Sequence, residues 1–180
     1  MEATVPFVST AVTAATPERL AVLDSWLDRT PAELERVYQE ARVPRLTDVR
    51  GDLRGRMLAW KLFDERPVLA SVVRRLGGWN AFPWRGKSFS PHDELRGEGI
   101  NRVFADRFRL FRFDTFIGRS RAGDFDAVQL DYDLDGNPPG IRSIKDEIRE
   151  VAPGLWLGQA WAQLPKKDVL VLYFGLARVA

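Results

Sequence analysis

Apolar and polar positions along the chain change period three times. Leu20, Leu23 and Leu27 recur at helical spacing with Trp26 beside them, after a Thr16-Pro17 start signal. Thr30-Pro31-Ala32-Glu33 repeats that signal with a capping-box Glu, and Leu34, Val37, Tyr38 and Ala41 follow as an apolar stripe ended by Pro44. The period then drops to two. Val49, Gly51, Leu53, Gly55, Met57 and Ala59 alternate with Arg50, Asp52, Arg54 and Arg56, the pattern of a half-buried strand. A third helix is predicted over 64–76, on Val68, Leu69, Val72, Val73 and Leu76, stopped by Gly77-Gly78.

From Trp84 onward the period stays at two. Strands are predicted at 84–90, 100–105, 107–117, 124–134, 143–151, 155–163 and 168–178. In 143–151 the residues Ile141, Ile144 and Ile148 also fit a helix. Turn chemistry separates the segments at Arg121-Ala122-Gly123, Asp135-Gly136-Asn137-Pro138-Pro139-Gly140, Pro153-Gly154 and Pro165-Lys166-Lys167. With the strand near residue 53 the count is eight. The expected fold is mainly β with a helical N-terminal part: an eight-stranded antiparallel up-and-down barrel. Residues 1–48 are expected to be an arm and two helices packing on the barrel, and residues 49–180 the barrel domain.

Composition narrows the chemistry. A chain of 180 residues suits one domain with a sizeable core. It has no Cys and one His, so disulfides, thiolate metal sites and a multi-histidine zinc site are excluded. His92 lies in Ser90-Pro91-His92-Asp93-Glu94, a polar loop with no triad around it. Net charge is only +2, with signs interleaved; even the seven arginines between Arg96 and Arg121 are broken by Glu98, Asp106 and Asp114. Nucleic acid is therefore not an expected partner. The longest uncharged stretches, Ala3–Pro17 and Val151–Pro165, are 15 residues each, short of a membrane span. Met1-Glu2 offers no basic signal region, and a cytoplasmic location without membrane contact is expected. Arg outnumbers Lys 22 to 5.

Two motifs break off early. Asp131-Tyr132-Asp133-Leu134-Asp135-Gly136 begins like a calcium loop, but Pro138 and Arg142 stand where that loop needs an apolar residue and a bidentate Glu. Gly86-Lys87-Ser88 resembles the tail of a phosphate loop, but Ala81 occupies the leading glycine position. Metal and cofactor are accordingly not expected.

What remains is Arg, Asp, Glu and Tyr among six Trp, eleven Phe and three Tyr. The expected ligand-binding residues are Trp84, Arg102, Phe113, Tyr132, Trp161 and Tyr173. The aromatics would form a wall, and Arg102 and Arg149 would meet a polar end. The leading expectation is binding of a small hydrophobic or amphipathic molecule in a barrel cavity. The alternative is a cofactor-free cyclase or isomerase in the same cavity. There Tyr132 with Asp146 or Glu147 would be the acid–base pair, and Arg149 would stabilise an oxyanion. Asp146 and Glu147 point to opposite faces of a strand, so only one of them can line the cavity. A third expectation is an interaction module whose N-terminal helices dock a partner or a second copy of the chain as a homodimer.

The layout resembles the lipocalin-like, or calycin, β-barrels of bacteria over roughly residues 49–180. The resemblance rests on Trp84-Arg85-Gly86-Lys87 in an early strand, on the meandering strands, and on the late Arg178, placed to cap the Trp. Lipocalins usually carry Gly-x-Trp, whereas Trp84 here precedes Gly86. The resemblance implies a cavity for a small hydrophobic molecule. It also implies that cyclases, isomerases and hydratases of polyketide- or terpenoid-like substrates are among the functions such a barrel can host.

Overall fold

The computed structural model describes residues 16–60, 84–104 and 107–179. The third helix expected over 64–76 and the arm before residue 16 lie outside the described residues.

Eight antiparallel strands form a closed barrel in chain order. They are β1 Gly51–Trp60, β2 Trp84–Pro91, β3 Arg96–Val103, β4 Phe108–Arg119, β5 Asp126–Asp131, β6 Ile144–Ala152, β7 Leu155–Gln163 and β8 Asp168–Arg178. Each strand pairs with its sequence neighbours, and β1 pairs with β8 to close the ring. The expected up-and-down barrel is therefore the observed one, and 144–152 is strand rather than helix. Closure gives every strand a hydrogen-bonded neighbour on each side.

Two helices precede the barrel, α1 Thr16–Ser25 and α2 Pro31–Glu40. The capping box on α2 forms as the Thr30-x-x-Glu33 spacing predicts, with Glu33 N–H donating to the Thr30 hydroxyl and Thr30 N–H to Glu33. Both helices lie on the outer faces of β6, β7 and β8. Leu23 and Trp26 sit over Gly175, where a Cβ would strike the Leu23 methyl. Among the described residues a further, single-turn helix, α3 Pro139–Arg142, joins β5 to β6.

The apolar residues divide into two cores. Leu53, Phe89, Phe113, Val128, Leu130, Tyr132, Ile148, Trp156, Leu172, Phe174 and Leu176 face the barrel interior. Leu23, Trp26, Leu34, Tyr38, Leu155, Leu157 and Tyr173 pack between the helices and the outside of the sheet. This double burial explains why β8 reads as apolar on both faces: one face lines the barrel and the other carries the helices.

The mouth where β8 ends is shut by the chain entering β1. A 3-10 turn at Leu46–Asp48 brings Leu46 and Val49 into the interior core. Arg178 donates to the Asp48 carbonyl, and its guanidinium lies 5.7 Å from the Trp156 ring centre. The tryptophan under Arg178 is thus Trp156, not Trp84 as expected. Trp84 begins β2, at the end of that strand away from this mouth, so its ring meets Phe174 instead, at 5.7 Å.

Candidate functional site

A barrel of apolar residues has little reason to hold an ammonium group, yet Lys87 points into this one and is buried. Its three N–H donors are all used. The amine donates to Asn101 Oδ1 at 2.9 Å, to the Tyr132 hydroxyl at 2.5 Å and to Asp146 Oδ2 at 2.9 Å. Tyr132 in turn donates to Asp146 Oδ2 at 3.0 Å, and the Trp84 indole donates to Asn101 Oδ1 at 3.0 Å. The rings of Trp84, Phe113, Tyr132 and Phe174 surround the ammonium at 5.1–5.5 Å from ring centre to nitrogen. Such faces attract a cation.

Local backbone irregularities assemble this cluster. The β2–β3 register shifts between Trp84 and Gly86, so Trp84 joins Lys87 and Phe89 inside instead of facing away. Gly86 occupies φ +139° at this step, and a Cβ there would collide with the Leu53 carbonyl. A second shift, between Ile100 and Asn101, coincides with Phe111 at φ +61°, and the Phe111 carbonyl accepts from Asn101 Nδ2 at 3.2 Å. Two ring-facing glycines complete the seat. A Cβ on Gly99 would meet the Phe113 ring and one on Gly158 the Phe174 ring, both inside contact distance.

Burial sets the protonation chemistry. It pulls the Lys87 amine below its usual value, while the Asp146 carboxylate partly opposes the shift. Burial also pushes the Tyr132 phenol well up, and Asp146 adds to it, with the Asn101 hydrogen bond acting the other way. Asp146 uses only one oxygen: Oδ1 is buried and has no hydrogen-bond partner among the described residues. The Trp156 indole N–H, also in the interior core, is likewise unpartnered.

The residues singled out in the sequence separate onto two faces. Trp84, Phe113, Tyr132 and Asp146 come together around Lys87. Glu147, Arg149 and Tyr173 lie outside the barrel, beneath the helices. Glu147 accepts from Ser120 Oγ at 2.7 Å, Arg121 N at 3.0 Å and Gln129 Nε2 at 3.3 Å. Arg149 donates to the carbonyls of Tyr38 and Gln39 in the last turn of α2, at 3.0 and 3.1 Å, and its guanidinium covers Phe125 at 4.0 Å. Tyr173 donates to Glu35 of α2 at 2.5 Å. Trp161 packs with the outer core, and Arg102 pairs with Asp52 on the outer face at 3.6 Å. The oxyanion role expected for Arg149 and the second acid–base position expected for Glu147 therefore have no place inside the barrel.

Sequence reasoning met Lys87 only in a broken phosphate-loop tail and in the early-strand resemblance, and did not single out Asn101. Strict alternation put Lys87 on the Phe89 face, away from Trp84, and the bulge removed that distinction. One signal was available: Lys is the rarer cation here, and one of five lysines shares a strand face with a phenylalanine.

Among the described residues no group of His, Cys, Asp and Glu could hold a metal ion. No described helix is long and apolar enough to cross a membrane. No family model matches the chain, and no curated protein matches it. The chain is similar in structure to a protein from Thermomonospora curvata, with a TM-score of 0.54, 19% identity, and coverage of 92% of this chain and 99% of that one. A likeness at this identity speaks for the fold, an eight-stranded barrel with N-terminal helices.

Proposed function

We propose that the barrel binds a small amphipathic molecule whose apolar body meets Trp84, Phe113 and Phe174 and whose polar end meets the Lys87–Asp146–Tyr132–Asn101 cluster. One observation carries this reading: an ion pair buried inside an aromatic barrel with one carboxylate oxygen unpartnered. A buried pair is a poor way to stabilise a core, since apolar residues of equal volume often do as well or better. Recognition gives it a purpose. The barrel also takes its place, on this reading, beside the lipocalin-like proteins. Its closed meander of eight strands supports that kinship, although the late Arg178 lies on Trp156 and not on the early-strand Trp84.

The test uses N-phenyl-1-naphthylamine, a neutral apolar fluorophore, with native mass spectrometry of freshly purified protein. Saturable fluorescence enhancement is expected, and Ile144→Trp, at the mouth where β6 begins, should weaken it. Enhancement unchanged by Ile144→Trp and a spectrum showing only bare chain would sink the proposal.

A second reading is favoured by the Tyr132–Asp146 hydrogen bond beside a lysine of lowered pKa. The trio could move a proton between two carbons of a bound substrate, as a cofactor-free isomerase does, with Asp146 as base and Tyr132 as acid. Here Lys87 takes the cationic role first expected of Arg149. Turnover lost in Tyr132→Phe with binding retained would support it; equal turnover would remove Tyr132 from the chemistry.

A further inference from the structure

The binding reading leaves the ligand's head group open, and the cluster's own arithmetic of charge and donors narrows it. Lys87 and Asp146 neutralise each other at 2.9 Å, and Asn101, Tyr132 and Trp84 bring no charge. Every N–H of Lys87 has an acceptor, so no ammonium donor is left over for an incoming anion. The unpartnered atom of the cluster is Asp146 Oδ1, which can only accept, on a residue that is 4% exposed.

We infer that the barrel selects a neutral ligand bearing a hydroxyl, which donates its proton to Asp146 Oδ1, over an anionic ligand of the same shape. The inference rests on the proposed binding function. A carboxylate head would face the carboxylate oxygen in a low-dielectric interior whose described residues offer no spare cation beside Asp146, so burial would cost it heavily. An ether would leave Oδ1 as unsatisfied as before. A hydroxyl meets the need, and its oxygen remains free to accept. The Trp156 indole N–H is a second unpaired interior group, a donor, which suits an oxygen elsewhere on the ligand. Unpaired atoms also occur outside, among them Tyr38 Oη, Trp161 Nε1, Arg149 Nε and Gln159 Oε1, so what singles out Asp146 Oδ1 is its place beside a buried ion pair inside the barrel.

The test is displacement of N-phenyl-1-naphthylamine by three probes built on a ten-carbon chain: decan-1-ol, 1-methoxydecane and decanoate. Decan-1-ol should displace the fluorophore at about tenfold lower concentration than 1-methoxydecane, the worth of one net hydrogen bond, and decanoate should need a higher concentration still. Asp146→Asn puts an amide NH2 where Oδ1 stood, so the order should reverse toward the ether and the carboxylate. If that variant fails to fold, the order of the three probes on the unaltered chain decides. Decanoate or methoxydecane binding as well as decanol would overturn the hydroxyl inference and leave the binding function intact. Fluorophore binding with no displacement by decanol would do the same. Failure of the fluorophore itself to bind would overturn both.

Discussion

Asp146 and Glu147 are adjacent carboxylates in one strand, both buried, and their surroundings differ in kind. Glu147 faces outward into a hub that ties β6 to the β4–β5 loop. Both its oxygens are occupied, and Arg121 reaches on from it to Asp168 at 2.8 Å and to Gln129 at 2.7 Å. Asp146 faces inward, holds a lysine with one oxygen, and leaves the other bare. A satisfied carboxylate is explained by the structure it holds together. A half-satisfied one is not, and a buried acceptor without a partner costs about 1–3 kcal/mol.

The sharpest way to break this contrast is Lys87→Met. Removing one member of a buried pair strands the other, and about 3–5 kcal/mol of stability should be lost at pH 7 in urea unfolding. Lys87→Met with Asp146→Leu should recover most of that, because the pair is dispensable for folding. A double variant as unstable as the single one would mean that the pair is structural after all. Glu147→Gln should cost less, about 1–3 kcal/mol, by weakening contacts to Arg121 while an acceptor remains. It should leave fluorophore binding unchanged, and a loss of binding there would erase the distinction between the two faces. Thr30→Ala removes the α2 cap and should cost about 1 kcal/mol, again without touching the interior.

pH offers a finer probe. The folded Lys87 amine loses its proton more readily than the unfolded one, so the unfolded chain binds more protons between the lowered value and 10.5. Stability attributable to Lys87 therefore rises with pH through that window. All three tyrosines run the other way. Burial raises Tyr38, Tyr132 and Tyr173, so the fold keeps them neutral and their contribution is lost as pH climbs above the unfolded value near 10. Absorbance at the tyrosinate band should stay flat through that pH in the folded protein and step up only on unfolding. A gradual rise without unfolding would show that at least one phenol is open to solvent.

Much of the barrel was legible because its strands obey simple alternation and its turns carry Gly, Pro and Asp at the right places. Phe113 and Tyr132 were correctly readable as sharing the interior, and Asp146 was separable from Glu147 by parity alone. The site was less legible for one physical reason. Bulges reset parity, and nothing in Trp84-Arg85-Gly86-Lys87 says that the backbone at Gly86 will turn Trp84 inward. Arg149 and Tyr173 show the complementary difficulty. The outer face of β6 and β8 is buried by helices, so a charged or aromatic residue there looks the same in sequence as one lining a cavity.

Every ladder in the sheet but one joins strands consecutive in the chain; the exception is β1 with β8, whose paired residues Leu53 and Arg178 stand at opposite ends of the barrel sequence. That pairing is a seam. Hairpins from β2 onward can form locally, whereas the seam must bring together ends separated by nearly the whole domain. It is the step most exposed to the entropy of loop closure, and α1 lies across its β8 side with Arg19 donating to the carbonyl of Arg178 at 3.2 Å. The N-terminal helix thus acts as a clasp on the ring, and amide hydrogen exchange along β1 and β8 is where loosening of that clasp would first be seen.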